Sequence, residues 1–222
     1  GMATIGQSPR ADLVPHMQAR FSSPVDIIEM GALDDLNAAE IAALGPDSGE
    51  VGIVARLRDG SSVLLSHAKI MPRMQRIVDA MNGAGCRFIV ILCGADWSDI
   101  RSRCLIVNPG RVFPSVITAL AHGRRLGIIK PSAGQVDAER ERYARLHIDA
   151  VVTAASPYTG DRRLELARQA ARHLAQHEVD LVWMTCVGMD EAMRRIVEEE
   201  TGKPVILART ILARIVDELL PA

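Results

Sequence analysis

The chain has 222 residues, 48% of them hydrophobic, and a formal net charge of -1. That length suits one large α/β domain or two lobes of about 100 residues each. A balanced charge with 3% aromatic residues carries neither the basic footprint of a nucleic-acid binder nor a membrane-surface patch, so neither is expected as a partner. The longest apolar runs are strand-length and residues 2–20 lack the apolar centre of a secretory signal, which makes a cytoplasmic location the default expectation.

In chain order, residues 2–6 read as a strand and residues 11–21 as an amphipathic helix, with Ser8 as its N-cap and Pro9 at its first position. Residues 25–30 read as a second strand and 37–44 as a short helix closed by the loop Gly45-Pro46-Asp47-Ser48-Gly49. Asp59-Gly60 between residues 51–57 and 62–65 is a hairpin signal. The spacing of Ile70, Met74, Ile77, Val78 and Met81 predicts a helix over 69–84, and the apolar run 88–92 a buried strand. Asn108-Pro109-Gly110 breaks the pattern, and a helix over 111–122 leads onward.

The second half alternates. Strands are predicted at 126–130, 150–153, 181–185 and 205–208, and helices at 137–146, 161–176, 190–200 and 210–220. Such alternation implies parallel sheets with right-handed crossovers. The fold class expected is α/β, two similar doubly wound parallel-sheet lobes with a cleft between them. The N-terminal lobe is expected over 1–112, with the helix 210–222 packing on it, and the C-terminal lobe over 113–209.

Ligands of parallel sheets bind outside the carboxyl ends of the strands. The rim loops therefore follow Gly6, Leu92, Lys130, Thr153, Thr185 and Ala208. Cys186 lies in one of them, between a strand and a helix N-terminus, a setting that favours a thiolate and makes the sulfur a base or nucleophile. Cys93, followed by Gly94-Ala95-Asp96, repeats the arrangement half a chain earlier. The competing reading of both thiols is as small buried hydrophobes. The loop Gly6-Gln7-Ser8-Pro9-Arg10 offers N–H groups, a hydroxyl and a guanidinium to an anion, a carboxylate or phosphate, unless it merely caps a helix. Lys130 with Ser132, the segment 153–158 and Thr210 add an amine and hydroxyls for orienting a substrate.

No metal is expected. The four cysteines form no Cys-x-x-Cys pair, and His173 and His177, four apart on one helix face, have no third ligand nearby. Nucleotide cofactors are disfavoured, since Gly83-Ala84-Gly85 ends a helix and Gly202-Lys203 follows no phosphate loop. The cofactor expectation is none.

Thr4-Ile5-Gly6-Gln7-Ser8-Pro9-Arg10, the Asp59-Gly60 hairpin, Asn108-Pro109-Gly110-Arg111 and Cys186-Val187-Gly188 together resemble the AroM family over nearly the whole chain. More distantly, the layout is similar to the aspartate/glutamate/hydantoin racemase superfamily, in which two similar lobes each present a cysteine to a cleft. Cys186-Val187-Gly188-Met189 is similar to the Cys-x-Gly-Met turn of hydantoin racemases, and Cys93 falls where their first cysteine would. The chain departs from amino-acid racemases where Gly94-Ala95-Asp96 and Val187-Gly188 replace polar pairs that grip an amino acid.

The resemblance implies a cofactor-independent racemase or epimerase acting on a small carboxylate or cyclic acid, with Cys186 and Cys93 as the acid–base pair. Gln7, Ser8 and Arg10 would hold the carboxylate, while Thr185 and Gly188 would donate to the enolate. A single-thiol decarboxylase or isomerase and a non-catalytic, regulatory small-molecule binder are the other readings. A homodimer is left open.

Overall fold

The structure is a computed structural model, described over residues 1–221. It divides into two units, Gly1–Val112 together with the residues from Leu212 on, and Phe113–Ile211. In the first unit the chain runs β1 (Met2–Thr4), α1 (Val14–Gln18), β2 (Glu29–Gly31), α2 (Ala38–Ala43), β3 (Ile53–Arg56), β4 (Ser62–Leu65), α3 (His67–Gly83), β5 (Phe88–Ile91) and β6 (Leu105–Val107). Helix α4 (Pro109–Leu120) carries it into the second unit, which runs β7 (Leu126–Lys130), α5 (Val136–Arg145), β8 (Ala150–Ala154), α6 (Arg162–Ala175), β9 (Leu181–Met184), α7 (Glu191–Thr201), β10 (Val205–Leu207) and the start of α8 (Ala208–Asp217), whose residues from Leu212 on belong to the first unit.

Both units hold a four-stranded, wholly parallel sheet. The orders are β2-β1-β5-β6 and β10-β9-β7-β8. If the antiparallel β3–β4 ribbon is set aside and the strands of each unit are counted in chain order, both sheets have the order 2-1-3-4. The two halves thus share one winding.

The physical basis is burial on both faces of the central strands. Ile89, Val90 and Ile91 in β5, and Val182 and Met184 in β9, are fully enclosed. In the first unit Ile70, Met74 and Met81 on one stripe of α3 pack with Ile89, Ile91 and Trp97. In the second, the small residues Ala167, Ala170 and Ala171 of α6 lie in one cluster with Met193 and Val197 of α7. Small side chains let these two helices approach closely.

Three local expectations need correction. The helix over 11–21 shrinks to α1, whose N-cap is Leu13 with no side-chain cap bond, while Pro15 takes the first turn. Ser8 is no cap, because its hydroxyl and main-chain N–H both go to the Asp34 carboxylate, at 2.5 and 2.6 Å. Strand β6, Leu105-Ile106-Val107, was not among the expected elements. Helix α4 starts at Pro109 rather than Arg111, since proline is preorganised for a first helical position. No helix among the described residues is long and apolar enough to cross a membrane.

Candidate active site

A 2-1-3-4 parallel sheet reverses its direction of winding between strands 1 and 3, and the loops leaving those two strands flank the ligand crevice of such folds. In the second unit these are the loops after β7 and β9, and in the first those after β1 and β5. Cys186 and Cys93 follow the third strand of their respective units, at matching positions in the shared winding.

The Cys186 turn is built from the end of β9. Thr185 is buried, and both its N–H and its hydroxyl donate to the Ile129 carbonyl of the adjacent β7, at 3.1 and 3.2 Å. That hydroxyl is committed to the main chain rather than aimed at a substrate. The half-buried Cys186 follows, and the Gly188 N–H donates to its Sγ at 3.4 Å. The Tyr158 hydroxyl, from the loop after β8, lies 3.8 Å from the same sulfur. A Cβ on Gly188 would overlap that hydroxyl, so a side chain there would force the phenol to shift.

Two ion pairs brace the turn. The buried Arg209 donates to the Val187 and Gly188 carbonyls at 3.1 and 3.0 Å and stands 3.6 Å from Glu191. Asp190 caps α7 by accepting from the Met193 N–H at 2.9 Å, and its second oxygen pairs with Arg163 at 2.9 Å. Burial opposes ionisation of Asp190, but the Met193 N–H and the Arg163 guanidinium outweigh it and hold the carboxyl below its ordinary value.

The Cys93 turn has a different support. Cys93 and Ala95 are half-buried against the core of the first unit, and Gly94 and Asp96 are exposed. Asp96 accepts from the Ser98 hydroxyl at 2.5 Å and from the Asn108 amide at 2.9 Å. Asn108 in turn accepts from the Gly110 N–H at 3.1 Å. Gly110 packs so tightly on the Ala95 carbonyl that a Cβ would overlap it. The Asn108-Pro109-Gly110 break is thereby explained: it buttresses the cysteine turn. Desolvation works against the Asp96 charge, yet its bonds to Ser98 and Asn108 prevail and lower its pKa.

At residues 7–10 the guest expected from outside is the chain's own acid. Asp34 accepts both donors of Ser8 and sits 3.3 Å from Arg58. Arg10, 3% exposed, forms a two-pronged pair with Asp12, both contacts 2.9 Å, and donates to the Thr4 hydroxyl at 3.3 Å. The Gln7 side chain spans Leu33 and Arg58, accepting from the Arg58 N–H at 2.8 Å. It also borders an apolar recess of about 470 Å³ lined by Leu36, Ile41, Leu57 and Val63. A carboxylate grip by these residues would have to displace internal acids.

Lys130 pairs with the buried Glu139 at 3.2 Å. Ser132 precedes a single 3-10 turn without capping it through its side chain, and the Thr210 hydroxyl donates back to Leu207 at 2.9 Å. The His173 and His177 rings meet edge-on with centroids 4.7 Å apart, and no cluster of three or more metal-type ligands occurs among the described residues. Sequence reasoning missed Tyr158 as a neighbour of Cys186 and Arg209 as the clamp on the turn. Only the proximity of Ser156-Pro157-Tyr158 to a strand end hinted at the first.

Two parallel units of one winding, each with a cysteine after its third strand, define an α/β protein of two like parallel-sheet lobes. The chain belongs to the AroM family, whose model, described as AroM protein, matches residues 1–220. Among solved structures it is similar to a glutamate racemase isoform from Bacillus anthracis (TM-score 0.65, 10% identity, 99% of this chain and 80% of that one). It is also similar to an allantoin racemase from Klebsiella pneumoniae (TM-score 0.54, 14% identity, 98% and 86%) and to an arylmalonate decarboxylase (TM-score 0.54, 13% identity, 100% and 93%). At such identities the likeness is one of fold. None of the curated proteins matches the sequence.

Proposed function

We propose that this AroM protein is a cofactor-independent acid–base enzyme that moves a proton at the carbon beside the carboxylate or ring carbonyl of a small acid, with Cys186 as the proton-transfer group. The observation that carries this reading is the Cys186 turn itself. It leaves the third strand of its sheet beside the winding reversal, and the Gly188 N–H donates to the sulfur. A donor aimed at sulfur favours the thiolate, the form that can accept a proton.

In the racemase or epimerase form, the thiolate takes the α-proton and becomes a thiol, the electron pair passes to the carbonyl oxygen, and a second thiol returns a proton to the opposite face. Cys93, at the equivalent position of the first unit, is the second thiol of this form. In a single-thiol form, decarboxylation leaves the carbanion and the Cys186 thiol protonates it. The arylmalonate decarboxylase among the fold neighbours supports keeping this form. Because Arg10 is already paired with Asp12, neither form relies on it to hold the substrate.

Serine at each cysteine separates the two, since a hydroxyl does not ionise near neutral pH as a thiol does. Optical activity is followed on a panel of small chiral carboxylates and cyclic acids, with product analysis for lost carbon dioxide. Loss of racemisation in both Cys93→Ser and Cys186→Ser supports the two-thiol form. Loss of carbon dioxide from the substrate that persists in Cys93→Ser and disappears in Cys186→Ser supports the single-thiol form. Full turnover by folded Cys186→Ser would defeat both forms, and no turnover by the wild type across the panel would leave a non-catalytic binder.

A further inference from the structure

Tyr158 enters neither scheme, yet its hydroxyl lies 3.8 Å from Cys186 Sγ. We infer that Tyr158 is a positioning residue for Cys186, its phenol and the Gly188 N–H forming a two-donor cradle that holds the sulfur as a thiolate. This deepens the acid–base reading of Cys186 and rests on it.

The direction of the contact follows from chemistry. A thiolate has no proton to give, so beside the ionised sulfur the phenol must be the donor. When Cys186 is protonated, the S–H can donate to the phenol oxygen instead, so the pair keeps a hydrogen bond in both states of the proton transfer. Hydrogen bonds to the charged form of a group favour that form.

The cradle is built rather than incidental. The Ser156 hydroxyl accepts from the Tyr158 N–H at 3.3 Å, fixing the loop that presents the ring. Gly188 has no Cβ, and one would overlap the phenol where it now lies. The glycine of the Cys-x-Gly turn thus does two things: its N–H faces the sulfur, and its missing side chain admits the tyrosine. Other charges about the turn occur as pairs, Arg163 with Asp190 at 2.9 Å and Arg209 with Glu191 at 3.6 Å.

The test is Tyr158→Phe, which removes one oxygen and keeps the ring. Iodoacetamide alkylation of Cys186 is measured against pH with peptide-level mass spectrometry, which resolves it from the other cysteines. Loss of a hydrogen bond to a charged group predicts a rise of about one pH unit in the midpoint, and about tenfold slower alkylation well below it. Gly188→Ala, which pushes the phenol away, is predicted to move the midpoint in the same direction. A Tyr158→Phe profile that superimposes on the wild type would overturn the inference. Failure of the acid–base reading shows separately, as turnover retained by Cys186→Ser whatever the alkylation midpoint.

Discussion

Gly188 and Tyr158 are matched in shape: the phenol lies where a side chain on residue 188 would have to be. Replacing Gly188 by Ala forces the ring or the turn to shift, at an expected cost of about 1–3 kcal/mol for overpacking. Combining it with Tyr158→Ala empties the space the methyl needs, so the two changes together should cost less than their sum. Urea unfolding of the four proteins in this cycle measures the coupling. Strict additivity would mean that the contact is not the reason for glycine.

Arg10 is predicted to matter for stability. Its partner Asp12 is 20% exposed and also lies 3.4 Å from Arg56. Burial raises the Asp12 pKa, but the Arg10 guanidinium outweighs it and the carboxyl stays below its ordinary value. Arg10→Leu removes the main partner of a largely buried charge, with an expected loss of about 3 kcal/mol, the low end for such a break because Arg56 remains. Arg10→Leu with Asp12→Leu leaves no orphaned charge and should recover much of the loss. Chemical denaturation checks both; an Arg10→Leu protein as stable as the wild type would show that the pair is not structural.

Tyr143, 1% exposed, gives a pH dependence of definite sign. Burial, aided by the nearby Glu139 carboxylate, pushes its hydroxyl up from 10.0 to about 12. A raised pKa in the folded state means the stability it contributes is fully present below about pH 10 and lost as pH rises through about 12. Roughly 2–3 kcal/mol is at stake over that window. Melting temperature should fall between pH 10 and 12, with a shallower fall in Tyr143→Phe. Parallel curves for the two proteins would contradict this.

The fold was legible where burial alone decides structure. Runs such as Phe88-Ile89-Val90-Ile91 and Leu181-Val182-Trp183-Met184 are buried central strands and read as such. Asp59-Gly60 marks the hairpin because a two-strand turn is a local event. The edge strand β6 takes its identity from pairing with β5, which no local pattern announces. At the candidate site, the turn carrying Cys186 could be read from strand–turn–helix order. What surrounds the sulfur could not, since Tyr158 lies 28 residues away in sequence. The same limit misdirected the reading of Ser8 as a cap. Donors are visible locally, but the acceptor that takes the Ser8 donors, Asp34, is 26 residues distant.

The central claim is that Cys186 transfers a proton at carbon. The most direct measurement is proton NMR of small carboxylates and cyclic acids in deuterium oxide, comparing wild type with Cys186→Ser whose folding is verified by thermal melting. The account predicts loss of the α-proton signal of at least one acid with the wild-type protein, and no exchange above background with Cys186→Ser. Exchange at the wild-type rate in folded Cys186→Ser, or none by the wild type across the panel, would contradict it.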